Sequence, residues 1–174
     1  MKYVIFAGSL HGKTTFANKH DFVVDPEAEP PEAYADDEWI GLYWDYKDLE
    51  SRWKEERVLG DKEKRNQAYN ALAKHVILNS TSPIVVAHFN AANQALARQA
   101  GRVQLFIRID WNELSERVRK LFDEDKDKAE SIIFRLVASY GYAMAVGDIL
   151  PLPKGTEFAT FEAALSKIKH TLDL

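Results

Sequence analysis

The amino-terminal segment carries the residues best suited to chemistry, because a short apolar run there leads into a glycine-bearing loop. Residues 3–15 read YVIFAGSLHGKTT. In a loop of this kind the backbone N–H groups point inward around a phosphate, and the helix that follows adds the positive end of its dipole. The ammonium group of Lys13 would reach the terminal phosphates, and the hydroxyl of Thr14 would bind Mg²⁺. We therefore expect this segment to bind a nucleoside triphosphate.

The loop resembles the Walker A motif of the P-loop NTPases, G-x-x-x-x-G-K-[ST]. Ala7 stands in place of the first glycine of that motif. The resemblance implies ATP and Mg²⁺ as ligands. The residues that it assigns to the nucleotide are Gly8, Ser9, Leu10, His11, Gly12, Lys13, Thr14 and Thr15. An ordinary glycine turn that happens to carry a lysine is the alternative.

Length and composition predict a single domain. The 174 residues are 46% hydrophobic and 11% aromatic, which suffices to bury about 70% of the surface of the unfolded chain. The chain has no cysteine, and its five histidines lack the spacing of a metal site. No apolar run approaches the ~20 residues of a membrane span, and no export signal precedes the first strand. We expect a cytoplasmic protein with no membrane partner.

Charge is distributed unevenly along the chain. The net charge is −4, and residues 25–61 hold 13 acidic and 4 basic side chains. A protein that binds duplex nucleic acid irrespective of sequence usually carries an excess of basic residues. The charge distribution therefore favours a small substrate or a confined nucleic-acid end.

Strands and helices alternate along the chain, which indicates crossover units and a parallel sheet with its ligand at the carboxyl ends of the strands. The predicted strands cover residues 3–7, 22–24, 83–87, 104–109 and 148–150. The predicted helices cover residues 12–20, 46–58, 62–79, 91–100, 110–122, 129–142 and 160–172, and Gly60 and Asp61 separate the second helix from the third. Residues 27–46 are rich in proline and acids, which predicts a loop or lid. The fold class is α/β, with about five parallel strands and helices on both faces.

A second segment is similar to the small P-loop kinases that include nucleoside monophosphate kinases and polynucleotide kinases. After the predicted strand at 104–109, Asp110 and Glu113 stand at capping-box spacing and open a helix that carries Arg117 and Arg119. This order resembles the strand and arginine-bearing helix that lead into the lid of such kinases. The resemblance implies a three-layer P-loop NTPase fold with a short lid. It covers most of the layout of the chain.

The resemblance to these kinases also implies two lid segments and arginines that contact the phosphates. The substrate lid would lie in residues 27–61, and a second lid would lie in residues 117–135. Arg117 and Arg119 would clamp the transferred phosphate, and Arg135 would contact the nucleotide from the far side of the second lid. Solvated helix faces are the alternative for each arginine.

The acceptor side of the site offers carboxylates and cations. Asp25 follows the second predicted strand, where it could orient or deprotonate an acceptor hydroxyl, and Glu27 is its nearest rival. A turn residue before proline is the alternative for Asp25. Arg52 and Arg57 would be the acceptor-side cations if this region is the substrate lid.

One residue departs from the pattern of the family. His88 follows the predicted strand at 83–87, where related proteins often carry the Walker B aspartate. Mg²⁺ would then be held by Thr14, phosphates, water and Asp25, or the site would bind nucleotide without fast turnover. His88 would contact the acceptor or would be an ordinary strand-end histidine.

Aromatic residues are concentrated in the acidic segment. They could stack on a nucleic-acid base or could anchor a long loop. These residues are Trp39, Tyr43, Trp44, Tyr46 and Trp53.

Taken together, the motifs favour an ATP-dependent kinase acting on a nucleotide or a nucleic-acid component. The acceptor would be either a nucleoside monophosphate or a hydroxyl of a polynucleotide, and a small metabolite is a further alternative. A nucleotide-binding regulator or slow ATPase without an acceptor is the contrasting class. The sequence leaves the oligomeric state open.

Overall fold

The computed structural model describes residues 1–56, 59–149 and 153–172. Its five-stranded sheet has the order β2-β3-β1-β4-β5, and every pair of neighbouring strands is parallel. The strands are β1 (Tyr3–Ala7), β2 (Val23–Val24), β3 (Ile84–His88), β4 (Val103–Ile107) and β5 (Glu157–Phe158). The predicted α/β class with about five parallel strands is therefore confirmed.

Seven α-helices occur in the described residues. They are α1 (Lys13–Asn18), α2 (Asp37–Glu56), α3 (Leu59–Asn79), α4 (Ala91–Gln99), α5 (Trp111–Leu121), α6 (Lys126–Ile149) and α7 (Phe161–Ile168). Helix α5 begins as predicted, with the Asp110 side chain accepting hydrogen bonds from the N–H groups of Asn112 and Glu113. None of the helices in the described parts of the chain has the length and apolar character needed to cross a bilayer.

The side chains of β1 alternate between the two faces of the sheet, as the pleat requires. Tyr3, Ile5 and Ala7 belong to one buried cluster with residues of α1, α5 and α7. Val4 and Phe6 belong to a second buried cluster with residues of α2, α3 and α4. All five residues are buried because helices cover both faces, which explains the continuous apolar run in the sequence.

Helix α2 begins earlier in the chain than the sequence indicates. The loop or lid predicted over residues 27–46 is wrong in its second half, because α2 begins at Asp37. Trp39, Tyr43 and Tyr46 are 1%, 7% and 3% exposed and share a buried cluster with residues of α3. Their spacing is that of one helical face, so these aromatic residues are anchors of a helix and not of a loop.

Two other predicted boundaries are wrong. Gly60 and Asp61 lie inside α3, so they do not separate two helices. The strand predicted at residues 148–150 is absent from the described part of that range, because α6 continues to Ile149; residue 150 lies outside the described residues. The fifth strand is β5, which pairs with β4 through two residues. A two-residue strand is too short to produce a recognisable alternation in the sequence.

The region predicted as the second lid, residues 117–135, is mainly helical. It contains the end of α5, the turn at residues 122–125 and the start of α6. Val118 on α5 packs with Ile133 and Leu136 on α6 in a small buried cluster. This cluster holds the two helices together.

A buried arginine joins the loop before β3 to the sheet. Arg102 is 4% exposed, and its guanidinium donates hydrogen bonds to the carbonyl oxygens of Ile77 (2.8 Å), Ser80 (2.6 Å), Ser82 (3.2 Å) and Tyr3 (3.4 Å). Burial lowers the pKa of Arg102 to about 10. The side chain thus donates to carbonyl groups of α3, of the turn between α3 and β3, and of β1.

Candidate functional site

The candidate site lies at the carboxyl ends of the parallel strands, where such sheets bind ligands. The phosphate loop, defined here as residues 8–15, leaves β1 and leads into α1. A cavity of about 740 Å³, the first cavity, is lined by most of this loop together with residues of α5 and the start of α7. A second cavity of about 320 Å³ adjoins it, and both are lined by Ser9, Glu27 and His88.

The backbone of the phosphate loop contains two left-handed residues. Leu10 has φ 57° and Gly12 has φ 91°, so glycine suits the second position and leucine is strained at the first. Gly8 is required for a different reason. A Cβ atom at this position would lie 2.8 Å from Cε1 of His11, and the His11 ring is only 3% exposed.

The side chain of His11 is held by the backbone of the phosphate loop. Its Nδ1 lies 2.9 Å from the carbonyl oxygen of Ser9, whereas its buried Nε2 has no hydrogen-bond partner among the described residues. Burial lowers the pKa of His11, and the charges of Lys13 and Arg117 act in the same direction. We infer a neutral ring that donates from Nδ1 to Ser9.

Lys13 lies at the start of α1 with its ammonium group directed back into the loop. Nζ donates a hydrogen bond to the carbonyl oxygen of Gly8 (2.8 Å) and lies 3.5 Å from Nδ1 of His88. Burial lowers the pKa of Lys13, while the carboxylates of Glu27 and Asp25 oppose that shift. An ammonium group has three donors, so one stays available for a ligand in the first cavity.

Thr14 and Asp25 form the closest polar pair at the base of the loop. The Thr14 hydroxyl donates to Oδ2 of Asp25 (2.7 Å), and the backbone N–H of Glu27 donates to Oδ1 (2.9 Å). Asp25 is 2% exposed, and burial raises its pKa against the effect of these two hydrogen bonds. It lines neither cavity. The structure therefore brings Asp25 into contact with Thr14, the predicted Mg²⁺ ligand.

Glu27 is the carboxylate that lines both cavities. Its Oε2 is 3.4 Å from Nε2 of His88. Burial would raise the pKa of Glu27, but the hydrogen bond and charge of His88, followed by the charges of Lys13 and Lys47, lower it to about 2. Nδ1 of His88 faces the ammonium group of Lys13, and Nε2 on the other side of the ring faces the carboxylate of Glu27. His88 thus connects the lysine of the phosphate loop to Glu27.

The second cavity lies between the phosphate loop and the pair of helices α2 and α3. Besides the three residues it shares with the first cavity, its walls are Tyr46, Glu50, Arg65, Asn66 and Tyr69. The Tyr46 hydroxyl donates to Oε2 of Glu50 (2.6 Å) and lies 3.4 Å from Oε1 of Glu27. The edge of the Tyr69 ring faces the His88 ring, with their centroids 5.7 Å apart.

Of the two arginines predicted as phosphate clamps, one lies at the first cavity. Arg117 lines this cavity, with Nη1 3.5 Å from the carbonyl oxygen of His11 and Nη2 3.2 Å from Oε1 of Glu113. Arg119 lines neither cavity and instead pairs with Glu130 at 2.8 Å. The two side chains point differently because residues two positions apart lie on different faces of a helix.

The other predicted cations are not brought together at the cavities. Arg135 is exposed on α6, and Arg52 forms an ion pair with Asp48 on α2; neither lines a cavity. Arg57 lies outside the described residues. Arg65 lines the second cavity and is not among the predicted site residues. The sequence signal that could have indicated Arg65 is its position one helical turn before Tyr69, where the apolar stripe of α3 begins.

Comparisons with family models, with curated proteins and with solved structures gave no match for this chain. The case for a function therefore rests on the geometry of its own residues.

Proposed function

We propose that this protein is a phosphotransferase of the P-loop kinase type that transfers the γ-phosphate of ATP to a nucleotide or a nucleic-acid component. The observation that carries the proposal is the grouping of Lys13, Thr14 and Asp25 beneath the first cavity, next to a second cavity with room for an acceptor. The position of the phosphate loop after the central strand of a parallel sheet supports a P-loop NTPase fold.

The first cavity suits the phosphates of the donor nucleotide. The left-handed residues Leu10 and Gly12 give the loop a concave backbone of the kind that binds anions. Lys13 and Arg117 both line this cavity, so an ammonium group and a guanidinium group are available to polyphosphate.

Thr14 and Asp25 are the residues that would hold Mg²⁺. Both offer oxygen atoms, which Mg²⁺ prefers, and the two side chains already meet through a hydrogen bond of 2.7 Å. The described residues contain no group of three or more His, Asp or Glu side chains suited to a metal. Phosphate oxygens and water would complete the ligand set, as is usual for Mg²⁺. The bound ion would neutralise charge on the phosphates.

Phosphoryl transfer requires an aligned donor and acceptor and neutralised charge more than covalent help from the protein. Lys13 and Arg117 would supply positive charge at the transferred group. Glu27 and His88 line both cavities, so they lie where donor and acceptor would meet.

A nucleotide-binding regulator or slow ATPase without an acceptor is the second candidate function. The observation that favours it is His88, because the end of β3 carries an imidazole where the P-loop resemblance implies an acid. A kinase for a small metabolite is a further alternative that keeps the same donor site.

The test is a transfer assay with γ-³²P-labelled ATP, Mg²⁺ and separate pools of nucleosides, nucleotides, oligonucleotides and sugars. Label in an acceptor supports a kinase, and label found only as inorganic phosphate supports the ATPase. Calorimetry with Mg²⁺ and ATP measures binding independently of turnover.

The control compares two lysine variants. Lys13→Ala should reduce turnover about 100-fold or more, because it removes a cation at the transferred phosphate. Lys74→Ala removes an exposed lysine of α3 and should leave turnover unchanged. Equal activity of the Lys13→Ala variant and the unmodified protein would refute the donor site.

A further inference from the structure

We propose that the second cavity binds the phosphate acceptor, and that this acceptor is a small uncharged molecule that presents hydroxyl groups, a nucleoside or a sugar, and not a nucleotide. The proposal rests on the phosphotransferase activity proposed above and assigns the second substrate of the same site; a nucleoside is one of the nucleic-acid components named there, and a sugar corresponds to the small-metabolite alternative.

The position of the second cavity is suited to an acceptor. It adjoins the first cavity, and Ser9, Glu27 and His88 form walls of both. Ser9 belongs to the phosphate loop, so a molecule in the second cavity would lie beside the donor phosphates. The volume of about 320 Å³ is at the small end of ligand pockets, which suits a nucleoside or monosaccharide.

The charges of the cavity walls disfavour a phosphate. Glu27 and Glu50 contribute two carboxylates, and Arg65 contributes one guanidinium. Lys47 and Lys54 lie 3.6 Å and 3.4 Å from Oε1 of Glu50, but neither lysine lines the cavity. A nucleoside monophosphate would bring two negative charges to walls that already carry the carboxylates of Glu27 and Glu50, and like charges in contact oppose binding.

Arg65, the arginine that lines the second cavity, already has partners within the protein. The guanidinium carbon of Arg65 lies 4.4 Å from the centre of the Trp53 ring, and its Nη2 donates to Oδ1 of Asn66 (3.0 Å). A dianionic phosphate in a protein site is typically bound by several donors in a fixed fork. The walls of the second cavity do not provide such a set.

One oxygen of Glu27 lacks a strong donor. Oε2 faces Nε2 of His88 at 3.4 Å. Oε1 lies 3.4 Å from the Tyr46 hydroxyl, but that hydroxyl has one proton and donates it to Glu50 at 2.6 Å. Oε1 of Glu27 is therefore directed at a donor from elsewhere, and a hydroxyl of the acceptor supplies it.

In the transfer step, the γ-phosphate of ATP moves to the acceptor hydroxyl. The acceptor oxygen forms a bond to the γ-phosphorus, and the bond from the γ-phosphorus to the oxygen bridging the β- and γ-phosphates breaks. ADP leaves with that electron pair. Glu27 accepts the hydrogen bond of the acceptor hydroxyl and orients it, and the hydroxyl proton passes to an oxygen of the transferred phosphate and from there to water.

Aromatic walls fit the same class of acceptor. Tyr46 and Tyr69 line the cavity with ring centroids 5.5 Å apart. Aromatic rings contact the face of a base or the apolar face of a sugar without requiring charge. The walls thus combine ring surfaces with hydrogen-bond acceptors for hydroxyl groups.

The test measures transfer of label from γ-³²P-labelled ATP, by the full chain with Mg²⁺, to separate pools of nucleosides, monosaccharides, nucleoside 5′-monophosphates and 5′-hydroxyl oligonucleotides. We expect label in the nucleoside or the monosaccharide pool, and the pool that accepts it identifies the source of the hydroxyl. The value of kcat/KM for the accepting nucleoside or monosaccharide should exceed the value for a nucleoside 5′-monophosphate about 100-fold. Label confined to monophosphates or oligonucleotides overturns this inference and leaves the proposed function standing. A protein that does not bind Mg²⁺ and ATP, or that releases only inorganic phosphate, overturns both.

Glu27→Gln tests the role of the carboxylate, with Glu63→Gln, at an exposed position of α3, as the matched control. For the accepting hydroxyl compound, Glu27→Gln should lower kcat about 100-fold, whereas Kd for Mg²⁺ and ATP should change less than about threefold. Glu63→Gln should leave both constants unchanged. A parallel loss of ATP affinity in Glu27→Gln would indicate a structural role and overturn the assignment of Glu27.

Discussion

The Thr14 hydroxyl donates a hydrogen bond of 2.7 Å to Oδ2 of Asp25, and this bond ties the phosphate loop to the segment that follows β2. The second oxygen of Asp25 accepts from the backbone N–H of Glu27. The same carboxylate thus fixes the base of the first cavity and the position of the residue that faces the second. A change at Thr14 or Asp25 should therefore affect nucleotide binding and stability together.

Replacing Thr14 by valine should weaken binding of ATP in the presence of Mg²⁺ about tenfold, because a hydroxyl ligand is lost while the shape is kept. The same change should lower the free energy of unfolding by about 1–3 kcal/mol, since the buried Asp25 loses a donor. Calorimetry with and without Mg²⁺ and urea unfolding measure the two effects. If the affinity fell equally without Mg²⁺, Thr14 would have no specific role in holding the ion.

The pH dependence of stability should carry a contribution from Glu27. Its pKa of about 2 lies below the ordinary value of 4.5, so the unfolded chain takes up this proton first as the pH falls. The stability that Glu27 contributes is present above about pH 4.5 and is lost towards pH 2. The difference in free energy of unfolding between the unmodified protein and Glu27→Gln should shrink by up to about 3 kcal/mol across this interval. Urea unfolding at several pH values measures it, and a constant difference would contradict the prediction.

Gly8→Ala should destabilise the protein by about 1–3 kcal/mol, because the new Cβ would lie 2.8 Å from the buried His11 ring. When His11→Ala is already present, adding Gly8→Ala should lower the free energy of unfolding much less than it does in the unmodified protein. Gly41→Ala, in α2, has open space around its Cβ position and serves as the control. Additive losses in the double variant would show that the two sites do not interact.

Arg117→Met and Arg119→Met should separate the two arginines predicted as phosphate clamps. Arg117 lines the first cavity, so its loss should lower kcat about 100-fold in the transfer assay. Arg119 pairs with Glu130 and is 52% exposed, so its loss should change kcat less than about twofold. Equal effects of the two changes would contradict the structural assignment.

Arg102→Met should lower the free energy of unfolding by about 3 kcal/mol or more, because four backbone carbonyl groups lose a hydrogen bond from the guanidinium. Arg98→Met, at an exposed position of α4, is the matched control and should cost less than about 0.5 kcal/mol. Urea unfolding of both variants provides the comparison. A loss at Arg102 no larger than that at Arg98 would mean that water replaces the guanidinium.

The sequence predicts the centre of this fold better than its margins. The run from Tyr3 to Ala7 is apolar at every position because β1 is covered on both faces, and the phosphate loop follows from residue types alone. The position of Asp25 at the carboxyl end of β2 is predictable as well, since this residue directly follows the second predicted strand. These features are local in the chain.

The second cavity could not be predicted, because it depends on contacts between distant segments. Tyr46, Glu50 and Arg65 come together only when α2 and α3 pack side by side, and the acidic, proline-bearing start of this region obscured the helical spacing of its aromatic residues. The edge strand β5 was missed for a different reason. Its two residues pair with β4 because the surrounding fold brings them there.

The central place of β1 has a mechanical consequence. Because β1 is hydrogen-bonded to β3 on one side and to β4 on the other, its amides exchange with solvent only when the sheet as a whole comes apart. The two-residue strand β2 lies at one margin of the sheet and pairs only with β3 among the described strands, so its amides should exchange faster than those of β1. Residues 8–15 thus follow the most protected strand of the sheet, whereas Glu27 follows a marginal one.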